Sequence, residues 1–375
     1  MQSTAKTSYA RRTQLAGSKE RVTTDAPFRL RSGEQLAELT MAYETWGRLS
    51  ENRDNAILLL PGLSPSAHAR SSQVDDSPGW WEGMIGPNLA LDTNRFCIIC
   101  VNNLGSCFGS TGPASIDPKT SMPYATDFPR LTMEDLAHAA NRVVDALGIK
   151  RLHAVVGASM GGLIALAYGL CFPDGATKLS MISSGPRCQA HAIAVHSLQR
   201  EAICNDPLWQ NGRYGAKDCP LPGMKLARKI GMTSYRSAME LEQRFSNQKV
   251  DLGIQEQFGF EFQIESYLDG ATRRFVDRFD ANSYLYLSRA MDHFDARFHG
   301  TNLVQALKTI NTDAVQIIGI ESDALFPLRQ QNELAEAFEA ADRPVQFVAL
   351  DSEKGHDAFL VEVDLFTPVL HEFLA

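Results

Sequence analysis

The run Gly157-Ala158-Ser159-Met160-Gly161 holds a serine with a glycine two residues to either side. The residues before it are apolar and β-prone, and the pattern turns helical from about Met160. A serine on a sharp strand-to-helix turn must take a strained backbone conformation, and glycines at those two positions remove Cβ atoms that would collide there. Ser159 is therefore the expected nucleophile. A hydroxyl reacts poorly at neutral pH unless a base takes its proton, and the base must be held in one tautomer by a carboxylate. Among nine histidines, His356 fits best, because Lys354-Gly355-His356-Asp357 forms a glycine-containing loop after a strand-like run at 345–349. The acid belongs after the preceding strand, where Asp323 follows the run 314–319 and Glu321 is its competitor. Developing negative charge needs donors as well. The loop Pro61-Gly62-Leu63-Ser64 offers the Leu63 N–H beside that of Met160.

These residues need a scaffold that brings distant loops together. Buried strands are expected at 56–60, 96–101, 153–156, 179–182, 314–319 and 345–349, with helices at 133–147 and 163–172 between them. Alternating strands and helices predict an α/β fold with a mostly parallel sheet covered on both faces. From 185 to 300 the pattern is helical, rich in Arg, Gln and Phe, and alternation resumes afterwards. Residues 25–184 and 301–375 thus form the expected core, with 185–300 as an inserted helical lid. Residues 1–24 are polar, lack the apolar run of a secretory signal, and read as a disordered tail, a targeting segment being the alternative.

Composition removes other classes. The chain has 375 residues, 36 basic and 44 acidic side chains and a net charge of −8, so no global positive field exists to hold nucleic acid or an anionic membrane. The uncharged stretch 154–172 is long enough to span a bilayer, but its glycines cluster as a strand, a turn and a helix require. Seven scattered cysteines make no disulfide framework. Cys97 and Cys100 have C-x-x-C spacing inside an apolar run without further ligands, so they read as strand residues and no metal site is expected.

Further motifs carry a resemblance. Tyr43-Glu44-Thr45-Trp46-Gly47, Gly79-Trp80-Trp81, Asn103-Leu104-Gly105-Ser106-Cys107, Gly109-Ser110-Thr111-Gly112-Pro113, Asp127-Phe128-Pro129, Gly157 to Gly162 and Gly355-His356-Asp357-Ala358-Phe359-Leu360 resemble the homoserine/serine O-acyltransferases of the α/β-hydrolase superfamily. The resemblance implies acyl transfer from acyl-CoA to an amino-acid hydroxyl through an acyl-serine, with no tightly bound cofactor, in a cytoplasmic homodimer whose lid helices pack together. It implies Ser159, Asp323 and His356 as the triad, Arg228 as the grip on the acceptor carboxylate and Asp357 on its ammonium group, with Tyr235 a further candidate for the acceptor pocket. An arginine fork and a carboxylate suit the two fixed charges of an amino acid.

Gly62-Leu63-Ser64-Pro65-Ser66-Ala67-His68-Ala69 departs from the Ala-Leu-Thr-Gly form usual in homoserine enzymes and looks like the serine O-succinyltransferase branch. Ser66, Ala67, His68 and Ala69 thus form a candidate specificity segment, with L-serine expected as acceptor and L-homoserine as the alternative. Succinyl-CoA is the expected donor over acetyl-CoA, and its free carboxylate calls for a cation, with Arg187 and Arg329 as candidates. Another reaction stays open on the same triad: a thioesterase or esterase in which water discharges the acyl-serine.

Overall fold

The computed structural model describes residues 20–24, 26–215, 218–250 and 259–375. An eight-stranded sheet organises the chain. Its strands are β1 (Glu20–Thr24), β2 (Leu39–Trp46), β3 (Ala56–Leu60), β4 (Cys97–Val101), β5 (Leu152–Ala158), β6 (Ala176–Ile182), β7 (Ala314–Ile320) and β8 (Val345–Leu350). They lie in the order β1-β2-β4-β3-β5-β6-β7-β8. From β4 to β8 all neighbours are parallel, while β2 pairs antiparallel with both β1 and β4.

The unbroken apolar strands follow from burial on both faces. Along β3, Leu58 and Leu60 enter a core shared with α1 (Met133–Ala146) and α2 (Met160–Cys171), through Leu136, Val143, Leu163 and Leu166. Ile57 and Leu59 point the other way, joining Trp81, Phe366 and Leu370. α8 (Leu328–Ala340) adds Leu334 and Phe338 to the first face, and α9 (Val363–Leu374) closes the second. Cys97 and Cys100 lie in β4, fully inside these cores, and burial raises both thiols far above their ordinary range.

Between β6 and β7 the described residues form α3 (Ala190–Cys204), α4 (Leu221–Tyr235), α5 (Ala238–Phe245), α6 (Gln263–Val276) and α7 (Ala281–His293). Tyr284 and Leu287 of α7 and Met224 and Ala227 of α4 pack into the first core. His196 on α3 gives a hydrogen bond across to Asp292 on α7 at 2.7 Å, and Arg200 binds the other oxygen of that carboxylate at 2.7 Å. Both oxygens of Asp292 are thereby committed to bracing two lid helices, although the buried Cys188 lies close by.

One expectation is corrected. Residues 20–24 are not tail but the edge strand β1, with Glu20 opposite Tyr43 and Thr24 opposite Leu39. An edge strand is supported by backbone pairing on one side and tolerates polar side chains, so composition alone hid it. The rest of the proposed tail, residues 1–19, lies outside the described residues. Among those described, no helix is long and apolar enough to cross a membrane. The uncharged stretch from residue 154 is instead β5, a turn and α2.

Gln316, fully buried in β7, ties three elements together. It accepts from Ser180 Oγ on β6 at 3.0 Å and donates to Gln346 Oε1 at 2.8 Å and to the Val369 carbonyl of α9 at 3.1 Å. Gln316→Leu keeps the volume but strands a buried hydroxyl and a carbonyl, so stability should fall by about 1–3 kcal/mol. Urea unfolding followed by tryptophan fluorescence measures this, and an unchanged midpoint would show that the network contributes nothing.

Candidate active site

Ser159 sits between β5 and α2 with φ 56° and ψ −123°, outside the regions ordinary side chains favour. Crowding holds it there. A Cβ on Gly157 would lie 2.0 Å from the Gly161 carbonyl oxygen, and one on Gly161 would lie 2.0 Å from the Leu60 carbonyl oxygen at the end of β3. Both positions therefore admit only glycine without movement of backbone. This contact sets the first turn of α2 directly against the loop that begins at Pro61. Asn103, one loop beyond β4, donates from Nδ2 to the carbonyls of Pro61 at 3.3 Å and Gly62 at 3.1 Å. The Leu63 segment is thus clamped beside the N-terminus of α2, where Met160 as first helical residue has an N–H with no intrahelical acceptor. The expected donors of an oxyanion hole, the N–H groups of Leu63 and Met160, thus belong to adjoining segments at the positive end of a helix dipole.

The other two residues arrive on separate loops and close the relay. Ser159 Oγ donates to His356 Nε2 at 2.7 Å, and His356 Nδ1 donates to Asp323 Oδ2 at 2.8 Å. Asp323 Oδ1 accepts from the backbone N–H groups of Leu325 and Phe326, each at 2.8 Å. Every lone-pair direction that matters on this buried carboxylate is therefore fixed. Glu321, its competitor, is exposed. Ser322 joins the two loops, since its hydroxyl donates to the Ser352 carbonyl at 2.5 Å and accepts from the Gly355 N–H at 3.0 Å.

His356 is 3% exposed and lies among the rings of Phe326, Phe359 and Tyr235, at centroid distances of 5.6, 5.9 and 6.0 Å. Burial alone would disfavour the imidazolium, but the charge and hydrogen bond of Asp323, with Asp357 adding, outweigh it and hold His356 above its ordinary value. Its loop rests on the lid. Gly355 has φ +69°, and a Cβ there would lie 2.7 Å from both the Tyr235 oxygen and the Ser237 nitrogen, just past α4.

α4 also brings the acceptor candidates near the triad. Arg228 lies with its guanidinium carbon 4.6 Å from the Phe275 ring centroid and 5.9 Å from that of Tyr235. Its Nε is buried without a hydrogen-bond partner among the described residues. Asp357 is mostly buried, and desolvation raises its carboxyl above the usual range, against the opposing pull of His356, Arg236 and Arg228. Arg236, absent from the sequence reading, places Nε 3.4 Å from Asp357 Oδ2. No local motif marks it, since only folding sets the end of α4 against the His356 loop.

The specificity segment lies elsewhere in its contacts. His68 pairs through Nδ1 with Glu44 of β2 at 2.8 Å and through Nε2 with the Ser77 carbonyl at 2.8 Å. Trp80 donates from its indole to the Ser66 carbonyl at 3.0 Å, and the Trp81 N–H donates to the Ala69 carbonyl at 2.8 Å. Ala67 and Ala69 are buried. Among the described residues these four make no hydrogen bond or ion pair to the triad, so any influence runs through the shape of the loop from Pro61. Arg187, a candidate partner for a succinyl carboxylate, binds Glu333 through both terminal nitrogens, at 2.7 and 3.1 Å. Arg329 is exposed and donates to Gln189 at 3.2 Å.

A nucleophile elbow on a mostly parallel sheet, with acid and base on the loops after the last two strands, defines an α/β hydrolase. The family model described as the alpha/beta hydrolase fold matches residues 55–363. A curated serine O-succinyltransferase of Frateuria aurantia is 51% identical over 354 residues, covering 93% of this chain and 96% of its own length. Homoserine O-acetyltransferase from Bacillus anthracis superposes with a TM-score of 0.87 at 29% identity, covering 95% of this chain and 96% of that one. Esterase E22 superposes with a TM-score of 0.86 at 26% identity, covering 95% and 100%. The chain belongs to the α/β-hydrolase fold family and, within it, to the O-acyltransferase family represented by the Frateuria relative.

Because His356 acts only when neutral, and Asp323 raises its pKa, acylation should increase with pH through a value above the ordinary histidine range. Asp323→Asn should lower the maximal acylation rate by about 10⁴-fold, since an amide stabilises the wrong tautomer. The remaining acid limb should move to lower pH, because the charge that raised His356 is gone. Rapid-quench acylation across pH 5–9 tests both. A limb that moves upward, or an equal loss from Glu321→Gln, would displace Asp323 from the role.

Proposed function

We propose that this enzyme transfers the succinyl group of succinyl-CoA to the side-chain hydroxyl of L-serine, through an acyl-Ser159 intermediate. The observation that carries the acceptor is the partnerless buried Nε of Arg228, one ring away from His356 and in the field of the Asp357 carboxylate. A buried guanidinium nitrogen without a partner is costly, and an amino-acid carboxylate supplies the missing acceptor. Asp357 opposite it meets the ammonium group. The names of the Frateuria relative and others at 47–48% identity support serine and succinyl-CoA.

In the first half-reaction Ser159 Oγ attacks the thioester carbon while His356 Nε2 takes its proton. The oxyanion is held by the N–H groups of Leu63 and Met160. Collapse breaks the carbon–sulfur bond, and the proton on Nε2 leaves with coenzyme A as its thiol. In the second, the serine hydroxyl attacks the acyl carbon, gives its proton to Nε2, and Ser159 recovers a proton from there as O-succinyl-L-serine departs. Each residue works twice, once in each direction. Exposed apolar side chains on the lid, Leu198, Leu226 and Met239, support a homodimer formed through these helices.

Succinyl-CoA alone should add one succinyl mass to the protein, on the tryptic peptide containing Ser159, and Ser159→Ala should abolish both labelling and turnover. Arg228→Lys keeps the charge and loses the planar fork, so discharge by serine should slow by roughly 1.5–3 kcal/mol while acylation persists. Wild-type kcat/KM should be higher for serine than for homoserine. A preference for homoserine would overturn the serine reading, and a variant that acylates slowly yet transfers normally would overturn the role of Arg228.

A further inference from the structure

From the geometry around Asp357 we infer that Arg236 is a positioning residue for the acceptor half-reaction, holding the Asp357 carboxylate ionised and aimed at the substrate ammonium. The inference rests on the proposed acceptor reading and adds a residue that neither sequence motif nor mechanism called for. Arg236 caps the C-terminal end of α4, and its side chain is only 15% exposed. Nη1 donates to both oxygens of Glu240 on α5, at 3.1 and 3.3 Å, while Nε faces Asp357 Oδ2 at 3.4 Å. Glu240 is 2% exposed; its carboxylate also accepts from Arg244 at 3.3 Å and its backbone N–H donates to Ser237 Oγ at 3.0 Å, so it is a rigid anchor. A planar guanidinium fixed on one side to a buried carboxylate presents its remaining N–H at a set angle on the other.

The need for such a residue follows from burial. Asp357 sits beside His356 in a loop tucked under α4, where desolvation favours the neutral carboxylic acid. A neutral acid would bind an ammonium group far more weakly. The groups facing Asp357 are His356 on its own loop, Asp323 from the loop after β7, and Arg228 and Arg236 from α4. Of the two arginines, Arg228 is the one the acceptor carboxylate engages, so its charge is shared once substrate binds. Among the described residues Arg236 is engaged by Glu240 and Asp357, and it supplies the constant positive charge. At 3.4 Å its contact with Asp357 is looser than its bonds to Glu240, which leaves the carboxylate free to receive a second cation.

Arg236→Gln removes the charge but can still hydrogen bond to Glu240, which also keeps Arg244. Preformed succinyl-Ser159 enzyme, mixed with L-serine and followed by rapid-quench mass spectrometry, reads the second half-reaction alone. Acylation by succinyl-CoA, measured in the same preparation, reads the first and reports folding. The variant should lose about tenfold or more in apparent second-order discharge by serine. Plotted against pH, the ratio of discharge to acylation, from which the His356 limb common to both half-reactions cancels, should fall off at higher pH than in wild type, because a cation that lowered the Asp357 pKa is gone. Arg236→Lys should restore that ratio toward wild type. A ratio whose pH dependence does not move, or a lysine variant no better than glutamine, would overturn the assignment. If wild-type acyl-enzyme discharges at one rate with or without amino acid, the acceptor reading fails and the role of Arg236 fails with it, and this shows before any variant is made.

Discussion

Everything at the reactive centre depends on one place where backbone touches backbone. The Gly161 Cα lies against the Leu60 carbonyl, and the Gly157 Cα against the Gly161 carbonyl, so close that no other side chain fits at either position. That packing holds Ser159 at positive φ, where a serine would not stay unaided. It also sets the first turn of α2 against the loop that begins at Pro61. The nucleophile candidate and the two N–H groups proposed as oxyanion donors, those of Leu63 and Met160, therefore depend on one piece of packing, and Asn103 locks its far side by binding the Pro61 and Gly62 carbonyls.

The base is positioned differently, by side chains reaching across loops. Asp323 uses one oxygen to bind its own loop and the other to hold His356, while Ser322 ties that loop to Gly355. The His356 loop then lies against the end of α4, so close at Gly355 that the lid forms part of its support. Core and lid meet at a residue adjacent to the catalytic histidine. Movement of α4 would consequently be felt at the triad and at the acceptor cage together. On the proposed acceptor site, an amino acid bound between Arg228 and Asp357 would join those same elements, so acceptor binding and correct placement of His356 would reinforce one another.

Legibility in the sequence divides along physical lines. The strands at 56–60, 96–101 and 314–319 were readable because burial on both faces leaves continuous apolar runs, and Ser159 because its glycines answer a local steric demand. Asp323 and His356 were readable because each must follow a particular strand. β1 was not, since an edge strand draws its support from backbone hydrogen bonds to β2 and its side chains stay polar. Arg236 was not, because its meaning comes from Asp357, 121 positions away, and nothing in its own neighbourhood distinguishes it from Arg244. A cation for the succinyl carboxylate is not marked in the sequence for the same reason, since only folding shows that Arg187 is paired with Glu333 on α8.

Why a fold shared with an esterase should transfer rather than hydrolyse is answered outside the triad. Ser159, His356 and Asp323 supply a nucleophile, a base and an orienting acid, and they treat any hydroxyl alike, water included. Discrimination needs an alternative nucleophile held at high effective concentration in the right orientation. An amino acid gripped at both charges would be such a nucleophile, since its carboxylate and ammonium would fix the backbone and leave only the side-chain hydroxyl free to approach the acyl carbon. Arg228 on α4 and Asp357 on the His356 loop come from the two sides of the core–lid contact, so the proposed grip would be complete only where they meet. Aromatic rings of Phe326, Phe359 and Tyr235 cover the histidine there and limit the water that can reach it. Transfer is thus favoured by the same junction that supports the base, and a chain that kept the elbow but loosened that junction would drift toward hydrolysis.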